Sequence, residues 1–160
     1  MSSSEAPPPV ETWENPGTGW APRTGVGGPT LTIGQAMTCD TVRGRTVLFG
    51  GQSVFGGNQT WEYDGTAWTE RHLLLTAPPV YGHALAFDPV RGRTVLFGTS
   101  STSTPGFTWE WDGTSWQQQF PVHVPWGRRY AAMTWHPRQQ RVLMYGGGEG
   151  QTTSSLFRDL

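Results

Sequence analysis

One cysteine, Cys39, stands in the 160 residues, which excludes an intrachain disulfide and a multi-cysteine metal site. Charge is scarce as well. Eleven Lys and Arg against twelve Asp and Glu leave a net charge of −1, with no basic footprint for nucleic acid or an anionic membrane. No apolar run approaches the roughly 20 residues of a helical membrane span. The opening MSSSEAPPP has neither a basic n-region nor an apolar h-region, so it does not read as a secretory signal. Residues 1–11 read instead as a disordered leader, and the cytoplasm is the default location. The four histidines, His72, His83, His123 and His136, have no metal-ligand spacing, and no Gly-x-Ser-x-Gly nucleophile turn occurs. Neither a metal nor a cofactor is expected, and no catalytic residue is assigned.

What the chain does have is turn residues and large aromatics: 22 Gly, 13 Pro, nine Trp and seven Phe, with a mean hydropathy of −0.46. Abundant turn formers with large buriable side chains point to an all-β protein with a real core. The aromatics are ordered. Thr60-Trp61-Glu62-Tyr63-Asp64-Gly65-Thr66-Ala67-Trp68 recurs as Thr108-Trp109-Glu110-Trp111-Asp112-Gly113-Thr114-Ser115-Trp116. A degraded copy runs from Thr12 and Trp13 to Trp20, with Asn15-Pro16-Gly17 in place of the Asp-Gly step. Trp13, Trp61 and Trp109 are spaced by 48 residues, as are Trp20, Trp68 and Trp116. Asp-Gly between aromatic arms predicts a hairpin with a type I′ turn, and the first copy should turn differently.

Each copy is preceded by two more predicted strands. Met37 and Cys39, Leu85 and Phe87, and Met133 and Trp135 alternate with Ala or Thr, so one face of this inner strand is small. After a tight turn comes an unbroken apolar run, Val47-Leu48-Phe49, Val95-Leu96-Phe97 or Leu143-Met144-Tyr145, which reads as a strand buried on both faces. Cys39 is accordingly expected to be buried. Residues 40–50 and 88–98 differ only at Thr41 and Pro89. Four antiparallel strands per unit at this period describe a propeller blade, which cannot bury its faces alone.

An apolar run, Gly-Gly, a variable stretch, an aromatic, six residues and a Trp resemble the kelch repeat. The matching positions are Gly50, Gly51, Trp61 and Trp68, then Gly98, Trp109 and Trp116 with Thr99 in place of the second glycine, then Gly146 and Gly147. The resemblance covers residues 12–160 and implies a β-propeller, while leaving activity open. A copper-radical oxidase occurs on this family fold, but Cys39 has no matching Tyr and His constellation.

Residues 31–70 and 81–118 read as full blades. Residues 12–22 read as outer strands of a blade completed by 129–160, giving about three blades, whereas propellers close with about 4 to 8. Residues 154–160 read as the lead-in to a third strand that stops before its Trp, or alternatively Phe157 takes the tryptophan register and the two ends overlap. A dimer closed into a six-bladed ring is the expectation, and a piece of a longer propeller is the alternative.

The paired tryptophans have two readings, a sugar-stacking platform or blade core, and their recurrence favours core. Strand alternation sends the long loops to one face, where binding is expected. The candidate binding residues there are Arg71, His72, Leu73, His123, Trp126 and Arg128. The function expected is a binding scaffold with a protein or glycan ligand. A lectin-like propeller is the alternative, and an enzyme ranks last.

Overall fold

The computed structural model describes residues 11–29, 33–51 and 57–148. Most of the expected leader, part of the loop after Gly51, and the expected strand lead-in with Phe157 lie outside the described residues. Among those described there is no helix, and twelve strands form four antiparallel sheets. A hairpin comes first, β1 (Thr12–Glu14) with β2 (Ala21–Arg23). Then come two sheets of four: β3 (Ala36–Asp40), β4 (Arg45–Phe49), β5 (Thr60–Tyr63) and β6 (Trp68–Arg71), followed by β7 (Ala84–Asp88), β8 (Arg93–Gly98), β9 (Phe107–Trp111) and β10 (Trp116–Gln119). A final pair is β11 (Ala132–His136) and β12 (Arg141–Tyr145). Each sheet is a meander in chain order, so these are propeller-like blades: two whole ones flanked by an outer pair and an inner pair.

The turns show why these segments fold locally. Asp40 Oδ1 accepts from the backbone N–H groups of Val42 and Arg43 at 3.1 and 2.9 Å, and Asp88 does the same for Val90 and Arg91. In the third copy His136 Nδ1 takes this part, accepting from Gln139 N–H at 3.2 Å. The outer hairpins differ from expectation. Tyr63 pairs with Trp68, so residues 64–67 form a four-residue loop, and only Gly65 has positive φ (93°). A type I′ turn would need it at both central positions. Asp64 Oδ1 instead accepts from the Thr66 and Ala67 N–H groups at 2.8 and 2.9 Å, and Asp112 repeats this with Thr114 and Ser115. The first copy does turn differently: Asn15 Oδ1 accepts from Gly17 and Gly19 N–H. Pro22 lies on β2, the outermost strand, where no neighbour needs its missing N–H.

The core lies between the two whole blades. Val47 and Phe49 of β4 pack with Leu85, Leu96, Trp109, Trp111 and Trp116, and the rings of Phe49 and Trp116 are 5.0 Å apart. Covering Phe49 and Leu96 contributes about 1.5–3 kcal/mol each. β7 is buried along its whole length because β3 and β11 flank it on both sides. β3 has such a neighbour on one side only. Cys39 is therefore exposed, contrary to the expectation for that strand.

One set of bonds repeats from blade to blade. Trp116 Nε1 donates to Thr60 Oγ1 at 2.9 Å, and Trp68 Nε1 donates to Thr12 Oγ1 at 2.8 Å. Trp111 Nε1 donates to Glu62 Oε1, and Tyr63 Oη donates to Glu14 Oε1. Arg71 reaches the Gly113 carbonyl and Arg23 the Gly65 carbonyl, both at 3.3 Å. The hairpin β1–β2 thus sits before the first whole blade as that blade sits before the second. It occupies the outer half of a preceding blade whose inner half is missing among the described residues.

Candidate binding face

Strand direction places the inner turns and the Asp-led loops at one end of the blades and the longer connections at the other. In the two whole blades the short-turn end offers little free charge. Arg43 is paired with Asp40 at 2.6 Å, Arg91 with Asp88 and Glu110 at 2.6 Å, Arg45 with Asp64 at 3.2 Å and Arg93 with Asp112 at 3.7 Å. Hydrogen bonds from the Thr66 hydroxyl and from the Ala67 and Thr66 backbone hold the Asp64 carboxyl far below its usual range. Burial works against ionisation of Asp112, but hydrogen bonds from Thr114 and Ser115 prevail and hold it at about 2.

At the long-loop end, Arg71, His72 and Leu73 come together around an open cavity of about 300 Å³, with Asn58, Gln59 and Glu70 on its walls. Their roles differ. Arg71 ends β6, and its guanidinium is engaged within its own blade by Glu62 at 3.8 Å and across to the next blade by the Gly113 carbonyl. His72 is exposed, with Nδ1 4.0 Å from Glu70. Leu73 is half-buried against the core, whereas Leu74 and Leu75 project outward.

His123, Trp126 and Arg128 lie on the next connection between blades. This segment is pinned to the loop after β8. Gly106 N–H donates to the Pro125 carbonyl at 2.9 Å, Gly127 N–H donates to the Thr104 carbonyl at 2.8 Å, and Pro105 bridges to Trp126. A Cβ on Gly127 would collide with Thr99, Ser101 and Thr104, so a glycine is needed there for the two loops to meet. Trp126 is thereby held with 56 % of its surface exposed. Arg128 is buried behind it, donating Nε to the Trp126 carbonyl at 3.3 Å and Nη1 to the Gly146 carbonyl at 3.2 Å. His123 is exposed on the same connection.

Phe120 and Val122 are also exposed, and sequence reasoning passed over both. Phe120 had a signal, an apolar side chain in the register of the polar His72, while Val122 shares its register with the equally exposed Leu74. Of the aromatics read as core, Trp111 and Trp116 are fully buried and Trp109 nearly so, while Trp13 and Trp20 are exposed. Among the described residues no group of three or more His, Cys, Asp or Glu is placed to hold a metal. No known family model and no curated protein matches the chain.

Proposed function

We propose that the chain is a non-catalytic propeller scaffold of kelch type, closed into a ring by a second copy and binding a protein partner through its long-loop face. The observation that carries this reading is a contrast within one frame. The blades repeat every 48 residues, yet of the exposed apolar residues of the long-loop end only Leu74 and Val122 share a register, while Leu75, Phe120 and Trp126 do not recur. Trp126 falls in the register of Pro78. A lectin with one shallow site per blade needs the same aromatic in every blade, so a one-off patch favours a single protein surface. The rigid seating of Trp126 lowers the entropy lost on binding.

The test is selection from a displayed peptide library and, in parallel, a glycan array, each read with the unaltered chain and with Trp126→Ser combined with Leu74→Ser. Peptide ligands lost in the double variant support the reading. Glycans lost in that variant replace it with the carbohydrate-binding alternative.

A further inference from the structure

The two half-blades expose the side chains that the whole blades bury. Tyr145 is 78 % exposed, whereas its repeat counterparts Phe49 and Phe97 are buried. Leu143 is exposed where Val47 and Val95 are covered, and Trp20 is 70 % exposed where Trp116 is fully buried. On the other half, a cavity of about 250 Å³ opens beneath the hairpin, lined by Trp13, Met37, Leu48 and Trp68 among others. In the whole-blade pair, the residues 48 positions later than Met37, Leu48 and Trp68 are Leu85, Leu96 and Trp116, and Val47 and Phe49 pack against them. The cavity is the same space without its filling strand.

Resting on the ring reading above, we propose that β12 of one copy pairs antiparallel with β1 of a second copy, in the register Leu143↔Glu14, Met144↔Trp13 and Tyr145↔Thr12. The register is fixed by the chain's own repeats. Val47 pairs with Glu62, Leu48 with Trp61 and Phe49 with Thr60, and Val95, Leu96 and Phe97 pair with Glu110, Trp109 and Thr108. Shifted by the repeat, the third set is the one stated. It sends Leu143 and Tyr145 into the cavity, with Tyr145 on Trp68 as Phe49 lies on Trp116.

Two series of inter-blade bonds acquire their next members across the same seam. Trp68 donates to Thr12 and Trp116 to Thr60, so Trp20 of one copy donates to Thr108 of the other. Gly82 N–H donates to the Gly34 carbonyl at 2.8 Å and Tyr130 N–H to the Gly82 carbonyl at 2.6 Å, so Gly34 N–H of one copy donates to the Tyr130 carbonyl of the other. Gly34, Gly82 and Tyr130 share positive φ, of 74°, 65° and 60°, which makes them one repeated position. Applied twice about a twofold axis, the seam yields six blades and pairs both free edges.

The experiment uses the full chain with Cys39→Ser as background. Glu14→Cys combined with Leu143→Cys is oxidised and run without reductant, beside the off-register pair Asn15→Cys with Leu143→Cys. The expected result is a covalent two-chain species from the in-register pair alone. A two-chain particle that links equally in both pairs, or only off register, overturns this seam and leaves the ring standing. A folded single-chain particle that forms no interchain link overturns the seam and the ring together. Because cysteines at an edge can disturb folding, a second measurement takes Trp20→Phe and Thr108→Val singly and together. Each single change removes one hydrogen bond at each of the two seams and should weaken dimerisation about 25-fold, about fivefold per bond, and the pair no more than either one. Additive losses overturn the bond.

Discussion

The indole N–H of Trp116 is bonded to the hydroxyl of Thr60 at 2.9 Å, and both side chains are fully buried between two blades. The bond belongs to the packing of one blade on the next and not to either sheet. Its copy between Trp68 and Thr12 lies at the more open edge of the molecule.

Thr60→Val keeps the shape of the side chain and leaves the Trp116 N–H buried without its acceptor. The expected cost is about 1–3 kcal/mol. Thr12→Val should cost less in a single chain, about 0.5–1 kcal/mol, because Trp68 is only partly covered there and water replaces the hydroxyl, and should approach the Thr60→Val cost where a second copy lays Tyr145 on Trp68. Urea unfolding of the two variants, compared at constant m, checks the ranking. Equal losses would mean that Trp68 is covered as well as Trp116, as closure of the ring requires.

His83 gives the fold an acid limit. It is buried beside Phe49, and burial pushes the imidazole down to about 4 against the weaker upward pull of the Phe49 and Val80 backbone. An unfolded histidine takes up its proton near 6.5, so in this window the unfolded state binds more protons than the native one. Stability is therefore full above about pH 6.5 and falls as pH drops toward 4, by at most roughly 3 kcal/mol from this group. His83→Gln, which places there the residue the first repeat has at Gln35, should flatten the profile between pH 4 and 6.5. Chemical unfolding across that range is the measurement, and an unchanged slope would exclude His83 as the cause.

Gln140 adopts φ of 49° at the position where Gly44 and Gly92 have 64° and 63°. A left-handed non-glycine residue costs about 1–2 kcal/mol, and glycine returns roughly half of that to the flexibility of the unfolded chain. Gln140→Gly should stabilise by about 0.5–1 kcal/mol and raise the melting temperature by about 1–4 °C. A lower melting temperature would show that the glutamine side chain contributes more than the strain costs.

The strands were legible because each residue was written two or three times. Val47-Leu48-Phe49 and Val95-Leu96-Phe97 carry the same message, and two copies of Trp-x6-Trp place the outer pair. The misread turn at Asp64 has a local cause. Asp-Gly suits a type I′ turn, yet the carboxylate, by capping two N–H groups, stabilises a longer loop with a single positive φ. Exposure of Cys39 was not legible because it depends on a missing neighbour and not on the strand's own pattern. At the long-loop end, residue type did not reveal role. Arg71 and Arg128 are both arginines on or beside loops, but one ties two blades together and the other is buried behind Trp126. The signal for Thr60 was present, since Thr precedes Trp in all three copies, but sequence alone does not name its partner.

The central claim is that two copies make one closed ring. Light scattering on the purified 160-residue chain at working concentration measures this directly. The account predicts a particle of twice the 17.6 kDa of one chain, with Trp20 protected from solvent quenching. A well-folded particle of single-chain mass would contradict it.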